Sequence, residues 1–441
     1  MRRIALGPWL VIALASTALA NGRAPGTSSI NFQHGHETNI AVGLTFGLLI
    51  SHDNGVSWQW TCEDNLPYMG MYDPSYAWSA QGTLFATTFS GLRDSPDACV
   101  FDPTTLAVIT PPATAPPFMS NVVIASNGDV YATAADPTDG FIYRSTDNGM
   151  TFPNPSMPGM LKDWWQTLAV APSDPTRVYL SGYRIEGTKI FLLFKSINSG
   201  VDFTALPVTD FTTSKNSTIE IAGIDPTNPD IVYARVTLEN NNIGDAIYKS
   251  INGGSTWVKI LEEGDSLHAF VVRSNGDLVA GTPTLGAFVS HDGGTNWTPL
   301  TNAPHLNCLV ENSAHELWGC TLNYGSNQIP PDGFGIMKTT DLATWTGILK
   351  YQDINAPLTC DAGTVQMNHC VADLWCGVRS QLGITANPTA CPDPNADMPL
   401  VKPPAKAGCC EVGDDGAPVW ISLASIVGVL LMRPRRRRER T

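Results

Sequence analysis

The chain repeats an octapeptide that first occurs as Ser51-His52-Asp53-Asn54-Gly55-Val56-Ser57-Trp58. Further copies begin at Ser145, Ser196, Ser250 and Ser290, and a shortened copy begins at Thr339. Asp or Asn at the third place can fold its side chain onto the amides of a turn, and Gly at the fifth can supply a positive φ. The closing aromatic residue can pack between neighbouring hairpins. The pattern therefore predicts one type of hairpin turn, used repeatedly.

The spacing of the copies predicts the number of repeating units. Successive copies start 94, 51, 54, 40 and 49 residues apart, and the gap of 94 holds two units of about 47. Around each copy lie four short apolar runs bounded by Gly, Asn, Asp or Pro, which is typical of strands and turns. No amphipathic helix of three turns is evident. We therefore expect seven four-stranded blades of a β-propeller over residues 29–351. The blades are expected to begin near Ser29, Tyr76, Asn121, Gln166, Ile219, His268 and Leu306.

The octapeptide resembles the Asp box, Ser/Thr-x-Asp-x-Gly-x-Thr/Ser-Trp/Phe, of BNR-repeat propellers. Relatives with such blades include sialidases, xyloglucan-cleaving hydrolases, sortilin-type receptors and a photosystem assembly factor of chloroplasts. The resemblance implies an all-β fold, and it leaves the activity open because enzymes and binding proteins share these blades. Identical chemistry in successive blades favours a structural over a catalytic role. The residues given that structural role are Asp53, Asp147, Asn198, Asn252, Asp292 and Asp341.

The amino terminus predicts export. Residues 1–20 begin with Arg2 and Arg3, continue with an apolar stretch of about a dozen residues, and end in Ala18-Leu19-Ala20. These are the three parts of a signal peptide, with cleavage expected after Ala20.

The carboxyl terminus predicts a membrane anchor. A Pro-rich linker (392–408) leads to Cys409 and Cys410, an apolar helix (417–432) and an Arg-rich tail. Residues 409–441 resemble the carboxy-terminal sorting signals of myxobacteria, which implies a sorting protease acting near the cysteines and retention at the cell surface or outer membrane, or release from it. A permanent single-pass anchor is the alternative, since a stop-transfer helix has the same hydropathy.

Charge and cysteine content limit the partners. Residues 21–410 carry 18 basic and 36 acidic side chains, so nucleic acid is not expected to bind. No cofactor or metal motif is found, and we expect a monomer.

Ten cysteines in an exported chain favour disulfides. Cys308 and Cys320 are expected to bridge the first two strands of the seventh blade, while Cys62 and Cys99 pair or stay single.

A small Cys-rich extension, residues 352–391, follows the propeller. It holds Cys360, Cys370, Cys376 and Cys391, and we expect two disulfides among them. A zinc site is the alternative, but the paired Cys-x2-Cys spacing of structural zinc is missing.

Propellers present ligands on the loops that join consecutive blades and on those that join second to third strands. Aromatic rings with a few charges on such loops can stack a sugar or hold a peptide. The candidates for ligand binding in this chain are Tyr72, Asp163, Trp164, Trp165, Arg184, Glu186, His268 and His305.

A sialidase needs three arginines, a Tyr nucleophile and a Phe/Tyr-Arg-Ile-Pro motif before the first box. No arginine lies between Arg23 and Arg93, and the nearest match, Tyr183-Arg184-Ile185-Glu186, lacks the proline. A xyloglucan-type hydrolase would need a second propeller. We therefore predict no catalytic residue and a surface-anchored binding or assembly module for extracellular glycans or proteins. A glycoside hydrolase of sialidase-like fold is the alternative.

Overall fold

The computed structural model describes residues 23–66, 72–106, 116–136, 140–238, 244–325, 329–385 and 391. The predicted signal peptide, the linker 392–408 and the sorting signal with Cys409, Cys410 and the helix 417–432 lie outside these residues. Within the described ranges no helix has both the length and the apolar character needed to cross a membrane.

The strands form seven sheets, one per blade, and within each blade consecutive strands of the chain pair antiparallel. Blades 1 and 2 contain β1 (Thr27–Phe32), β2 (Ile40–Leu44), β3 (Gly47–Ser51) and β4 (Gln59–Thr61), then β5 (Tyr76–Trp78), β6 (Leu84–Thr88), β7 (Gly91–Ser95) and β8 (Asp102–Pro103). Blades 3 and 4 contain β9 (Met119–Ile124), β10 (Val130–Ala134) and β11 (Ile142–Ser145), then β12 (Trp164–Ala171), β13 (Asp174–Glu186), β14 (Thr188–Ser196) and β15 (Thr204–Ala205). Blade 5 contains β16 (Ile219–Ile224), β17 (Val232–Leu238), β18 (Gly244–Ser250) and β19 (Val258–Glu263). Blades 6 and 7 contain β20 (Ala269–Val272), β21 (Leu278–Gly281), β22 (Ala287–Ser290) and β23 (Thr298–Leu300), then β24 (Cys308–Glu311), β25 (Leu317–Cys320), β26 (Ile336–Thr339) and β27 (Thr346–Leu349).

The first strands of the blades form a closed ring. Each contacts the first strand of the next blade, and β24 of blade 7 contacts β1 of blade 1. Second strands such as Val130–Ala134 are buried along their whole length, because neighbouring blades cover both faces. This burial explains the continuous apolar runs in the sequence, and the prediction of an all-β, seven-bladed propeller is confirmed.

The octapeptides form turns with a shared hydrogen-bond pattern. In blade 3, Ser145 Oγ accepts a hydrogen bond from Gly149 N (2.8 Å), and Asp147 Oδ1 accepts one from Thr151 N (2.9 Å). Hydrogen bonds from Ser145 and Thr151 lower the pKa of Asp147 to about 2. Gly149 has a φ of 81°, and a Cβ there would lie 2.4 Å from the Phe85 ring of the preceding blade. Glycine is therefore required both by the turn and by the blade contact.

Blade 3 departs from the predicted four strands. It has three, and the chain that follows β11 leaves the sheet and meets it again only at a single bridge between Ile142 and Ser156. Pro153 and Pro155 cause the departure, since proline has no N–H for a strand ladder.

The extension after blade 7 packs onto the first blade. Its strand β28 (Ala356–Pro357) adds parallel to β4 as a fifth strand. A π-helix (Gln366–Leu374) and helix α1 (Trp375–Leu382) follow. The expectation of no helix of three turns was wrong, because this segment has a weak apolar periodicity and is held by disulfides.

The described residues form four disulfides, and their pairing corrects part of the prediction. Cys308–Cys320 and Cys376–Cys391 join cysteines within blade 7 and the extension, as expected. Cys370 instead bonds to Cys62, and Cys360 bonds to Cys99. The prediction of two bridges inside the extension was therefore wrong. The extension lies against the outer edge of blade 1, so these two cysteines reach propeller partners that are distant in sequence.

Candidate ligand-binding face

One end of the propeller carries nearly all the candidate residues. Because neighbouring strands are antiparallel, each first strand begins where the second ends and the third begins. The loops that join blades and those that join second to third strands therefore share this end, which we call the funnel face. Blade 4 extends farthest there, since β13 and β14 are 13 and 9 residues long and meet at Gly187.

A buried ion pair stands at the base of this blade 4 hairpin. Arg184 donates from Nε to Asp163 Oδ1 (2.5 Å) and from Nη2 to Asp163 Oδ2 (3.0 Å). The backbone N–H of Met160 also donates to Asp163 (2.7 Å), and the Asp163 side chain is fully buried. Glu186 is exposed, 3.7 Å from Arg184 Nη1. Both carboxylate oxygens of Asp163 are thus engaged by Arg184 and Met160, and its buried side chain cannot itself contact a ligand.

An aromatic row crosses the same hairpin on the side facing blade 5. Trp164 pairs with Tyr183, which pairs with Phe191, so the three rings lie on one face of the sheet. The Trp164 and Tyr183 rings are parallel within 6°, with centroids 6.3 Å apart. Lys189 Nζ lies 4.3 Å from the Tyr183 centroid and donates to the Ser217 carbonyl oxygen (2.5 Å). All three rings are partly exposed.

Trp165 does not belong to this surface. Its side chain is fully buried between blades 3 and 4, and its Nε1 donates to the Gly140 carbonyl oxygen (2.8 Å). Successive side chains of a strand point to opposite faces, so Trp164 and Trp165 cannot both face a ligand. The structure therefore corrects the inclusion of Trp165 among the ligand-binding candidates.

A charged network lies between blades 5 and 6. The guanidinium of buried Arg235 donates to Glu220 and to Asp245 Oδ2 (2.7 Å to the latter). Asp245 also accepts from Leu267 N (2.8 Å). His268 is exposed beside this network, and its pKa is lowered, first because surrounding protein displaces water and second because Arg235 is positively charged.

A second aromatic cluster joins blades 2 and 3. Tyr72 meets Phe89 and Phe118 edge to face, with centroids 4.6 and 4.9 Å away, and Phe89 stacks on Phe118 at 4.8 Å. Each ring is partly exposed, and desolvation raises the pKa of Tyr72 well above its usual range. The cluster combines a loop between blades with a loop between second and third strands.

His305 lies at the entrance to blade 7. Its Nδ1 is 2.9 Å from Asp332 Oδ1, and Asp332 Oδ2 accepts from Leu322 N (2.8 Å). The imidazole is about one-fifth exposed. Asp332 thereby fixes the ring position while leaving part of it in contact with solvent.

The predicted residues therefore fall into separate groups on several blades. Five residues of these groups were not among the candidates predicted from the sequence: Tyr183, Phe191, Lys189, Arg235 and Glu220. Alternation along β13 and β14 would have placed Tyr183 and Phe191 beside Trp164, but only with the register known. Within the described ranges, no group of three or more His, Cys, Asp and Glu side chains is arranged to hold a metal ion.

Comparisons with known proteins give structural likenesses alone. No family model matches the chain, and no curated protein matches it. The GH74 xyloglucanase from Xanthomonas campestris is 12% identical, with a TM-score of 0.41, over 73% of this chain and 66% of that enzyme. The extracellular domain of a putative one component system from B. thetaiotaomicron is 15% identical, with a TM-score of 0.46, over 69% of this chain and 38% of that one. YCF48 from Cyanidioschyzon merolae is 11% identical, with a TM-score of 0.44, over 67% of this chain and 92% of that one.

Proposed function

We propose that the protein is an exported, surface-anchored propeller that binds an extracellular glycan or protein ligand on its funnel face without turning it over. The observation that carries this proposal is the combination found on blade 4. Trp164 and Tyr183 present partly exposed rings beside Lys189, while the neighbouring carboxylate of Asp163 is buried and neutralised. Such a surface can hold a ligand, and Asp163 is not free to act there as an acid or a base.

The rings supply the binding surface. Aromatic side chains combine a large apolar area with little conformational freedom, so little entropy is lost when a ligand stacks on them. The cluster of Tyr72, Phe89 and Phe118 offers a second surface of this kind on blades 2 and 3. A ligand long enough to contact both would gain affinity from two sites at once.

The carboxylates argue against glycoside hydrolysis. A hydrolase of the two-carboxylate type needs one protonated acid and one free base or nucleophile at the bond to be broken. Glu220 and Asp245 share Arg235, Asp163 is held by Arg184, and Asp332 by His305. Each of these four carboxylates is already paired with a basic side chain, so none of them stands free beside a bond that is to be broken.

The disulfides agree with export. Bonds such as Cys62–Cys370 and Cys99–Cys360 persist in oxidising surroundings outside the cytoplasm. Together with the signal-like residues 1–20 and the Cys409-Cys410 tail, they support the surface location that we propose.

The proposal is tested by screening the purified protein for binding to extracellular polysaccharides, peptidoglycan fragments and secreted proteins. Hydrolysis of the same glycans is followed in parallel by the release of reducing ends. Saturable binding without turnover supports a recognition role. Turnover of any bound glycan would replace it with the hydrolase alternative.

A further inference from the structure

Blade 3 leaves one strand position unfilled. In the other six blades, the residue just before the end of the third strand pairs with a fourth strand. These pairs are Ile50–Gln59, Asp94–Asp102, Lys195–Thr204, Lys249–Val258, Val289–Thr298 and Lys338–Thr346. The equivalent residue of blade 3 is Arg144, and the place of its partner falls to Pro153. No hydrogen bond joins the Arg144 backbone to residues 153–155, all of which the structure describes.

The sequence after Phe152 prevents the fourth strand from forming. Pro153 and Pro155 have no N–H to donate, and Asn154 has a φ of 53°, which turns the chain out of the extended conformation. The chain returns to the sheet only at Ser156, which exchanges two backbone hydrogen bonds with Ile142 (2.8 and 2.9 Å).

The backbone N–H and C=O groups of Arg144 point away from β10, towards the open edge of the sheet. Residues on an antiparallel strand direct their N–H and C=O groups alternately to the two sides. Phe141 O accepts from Ala134 N of β10, and Ile142 bonds outward to Ser156. Two residues beyond Ile142, Arg144 therefore also points outward. Its N–H and C=O form an open ladder position at an edge strand.

A groove of about 440 Å³ occupies the space of the absent strand. Its walls are β11, residues 153–156 and the octapeptide turn of blade 4, including Val201, whose side chain is 62% exposed. Arg144 is bound through Nε and Nη2 to Asp129 (3.0 and 2.6 Å), so its charge is already neutralised. The groove thus offers backbone groups and apolar surface without an unpaired charge.

We propose that an extended, apolar peptide segment of a partner protein binds in this groove as the fourth strand of blade 3. A peptide backbone supplies both the N–H and the C=O group that the open ladder position at Arg144 requires, next to the Ile142–Ser156 bridge. A sugar would lack that spacing, and Tyr131, the aromatic ring of the groove, is fully buried and offers no face for stacking. This site is separate from the funnel face and does not depend on the function proposed above.

The test uses peptides that copy strands already filling this position elsewhere in the propeller. Peptides with the sequences of residues 257–263 and 297–303 are titrated into the full-length protein. Each peptide is also made in two N-methylated versions, one methylated at the odd and the other at the even residues. Each version therefore lacks the N–H groups along one of its two edges. We expect saturable binding, a loss of at least tenfold in affinity for one methylated version and little change for the other. Binding should also slow amide hydrogen exchange at Arg144.

Val201→Arg places a charge on the groove wall and should weaken peptide binding at least tenfold. Val56→Arg is the matched control, because Val56 holds the same octapeptide position in blade 1, is 83% exposed and lies outside the groove. The absence of saturable binding, equal affinity of both methylated versions, or equal loss in the two Val→Arg variants would overturn the proposal. A dimer in sedimentation equilibrium that Val201→Arg dissociates would also overturn it, by assigning the groove to a second copy of the chain.

Discussion

Cys62, which follows the outer strand of blade 1, is disulfide-bonded to Cys370 of the π-helix, 308 residues later in the chain. The Cys99–Cys360 bond lies nearby and joins blade 2 to the same extension. The two bonds tie the extension to blades 1 and 2. The extension, through these bonds and its strand β28, therefore acts as a clamp on the closure of the ring.

Removing the Cys62–Cys370 bond should destabilise the protein more than removing Cys308–Cys320, which spans 12 residues. With Cys99–Cys360 intact, the shortest path between Cys62 and Cys370 is still about 50 residues, and the larger loop is worth about 1 kcal/mol more in closure entropy. Chemical denaturation of the two paired Cys→Ser variants measures the difference. An equal or smaller loss for Cys62→Ser/Cys370→Ser would contradict the clamp.

His369 makes the clamp sensitive to pH. Its Nδ1 contacts Asp373 and its Nε2 contacts Asp64, both at 2.8 Å, and these partners raise its pKa, Asp373 most strongly. A raised pKa in the folded state stabilises the protein below the unfolded value near 6.5, and the benefit is lost as pH rises through the folded pKa. The midpoint temperature of thermal unfolding of the wild type should therefore fall across that pH range relative to that of His369→Gln. Parallel pH profiles for the two proteins would refute this role.

The Arg184–Asp163 pair should be costly to break from one side. Arg184→Met leaves the carboxylate of Asp163 buried with Met160 N as its remaining polar contact, and we expect a loss of about 3–5 kcal/mol. The double variant Arg184→Met/Asp163→Asn should recover much of that loss, because no buried charge remains. Urea denaturation of the three proteins gives the comparison. A double variant no more stable than the single one would show that the pair does not act as argued.

The buried hydroxyl of Ser145 should matter more than the carboxylate charge of the same turn. Ser145→Ala removes the acceptor for Gly149 N and should cost about 1–3 kcal/mol. Asp147→Asn should cost less, since Asn198 and Asn252 hold the same position in blades 4 and 5 and accept the same backbone hydrogen bond. Thermal unfolding ranks the variants, and the reverse order would argue against the turn geometry.

The fold was predictable because the octapeptide is a local signal. Its Asp or Asn, its Gly and its aromatic ring act within eight residues or against the next blade, so the spacing alone indicated seven sheets. The absence of a fourth strand in blade 3 also has a local signal, Pro153 and Pro155. It was overlooked because the blade was identified from its octapeptide. The pairing of Cys62 and Cys99 depended on how the extension packs, which no local pattern encodes.

The candidate site was predictable only in part. Trp164, Arg184 and His268 were expected at one end of the propeller from their predicted loop positions, and in the structure all three lie at that end. Adjacent residues on a strand face opposite sides, however, and which of Trp164 and Trp165 faces outward depends on where the strand begins. Arg235 was missed because it lies within a strand, where a charged residue is stable only through Glu220 and Asp245.

Binding by the aromatic row is most directly tested by isothermal titration of Trp164→Ala, Trp164→Phe and Trp345→Phe with whichever glycan or protein the screen identifies. Trp345 closes the shortened copy of the octapeptide, at the opposite end of blade 7, and serves as the matched control. We expect Trp164→Ala to lose at least tenfold in affinity, Trp164→Phe to retain part of the binding, and Trp345→Phe to match wild type. Unchanged affinity in Trp164→Ala, with the protein folded, would contradict ligand recognition by this face.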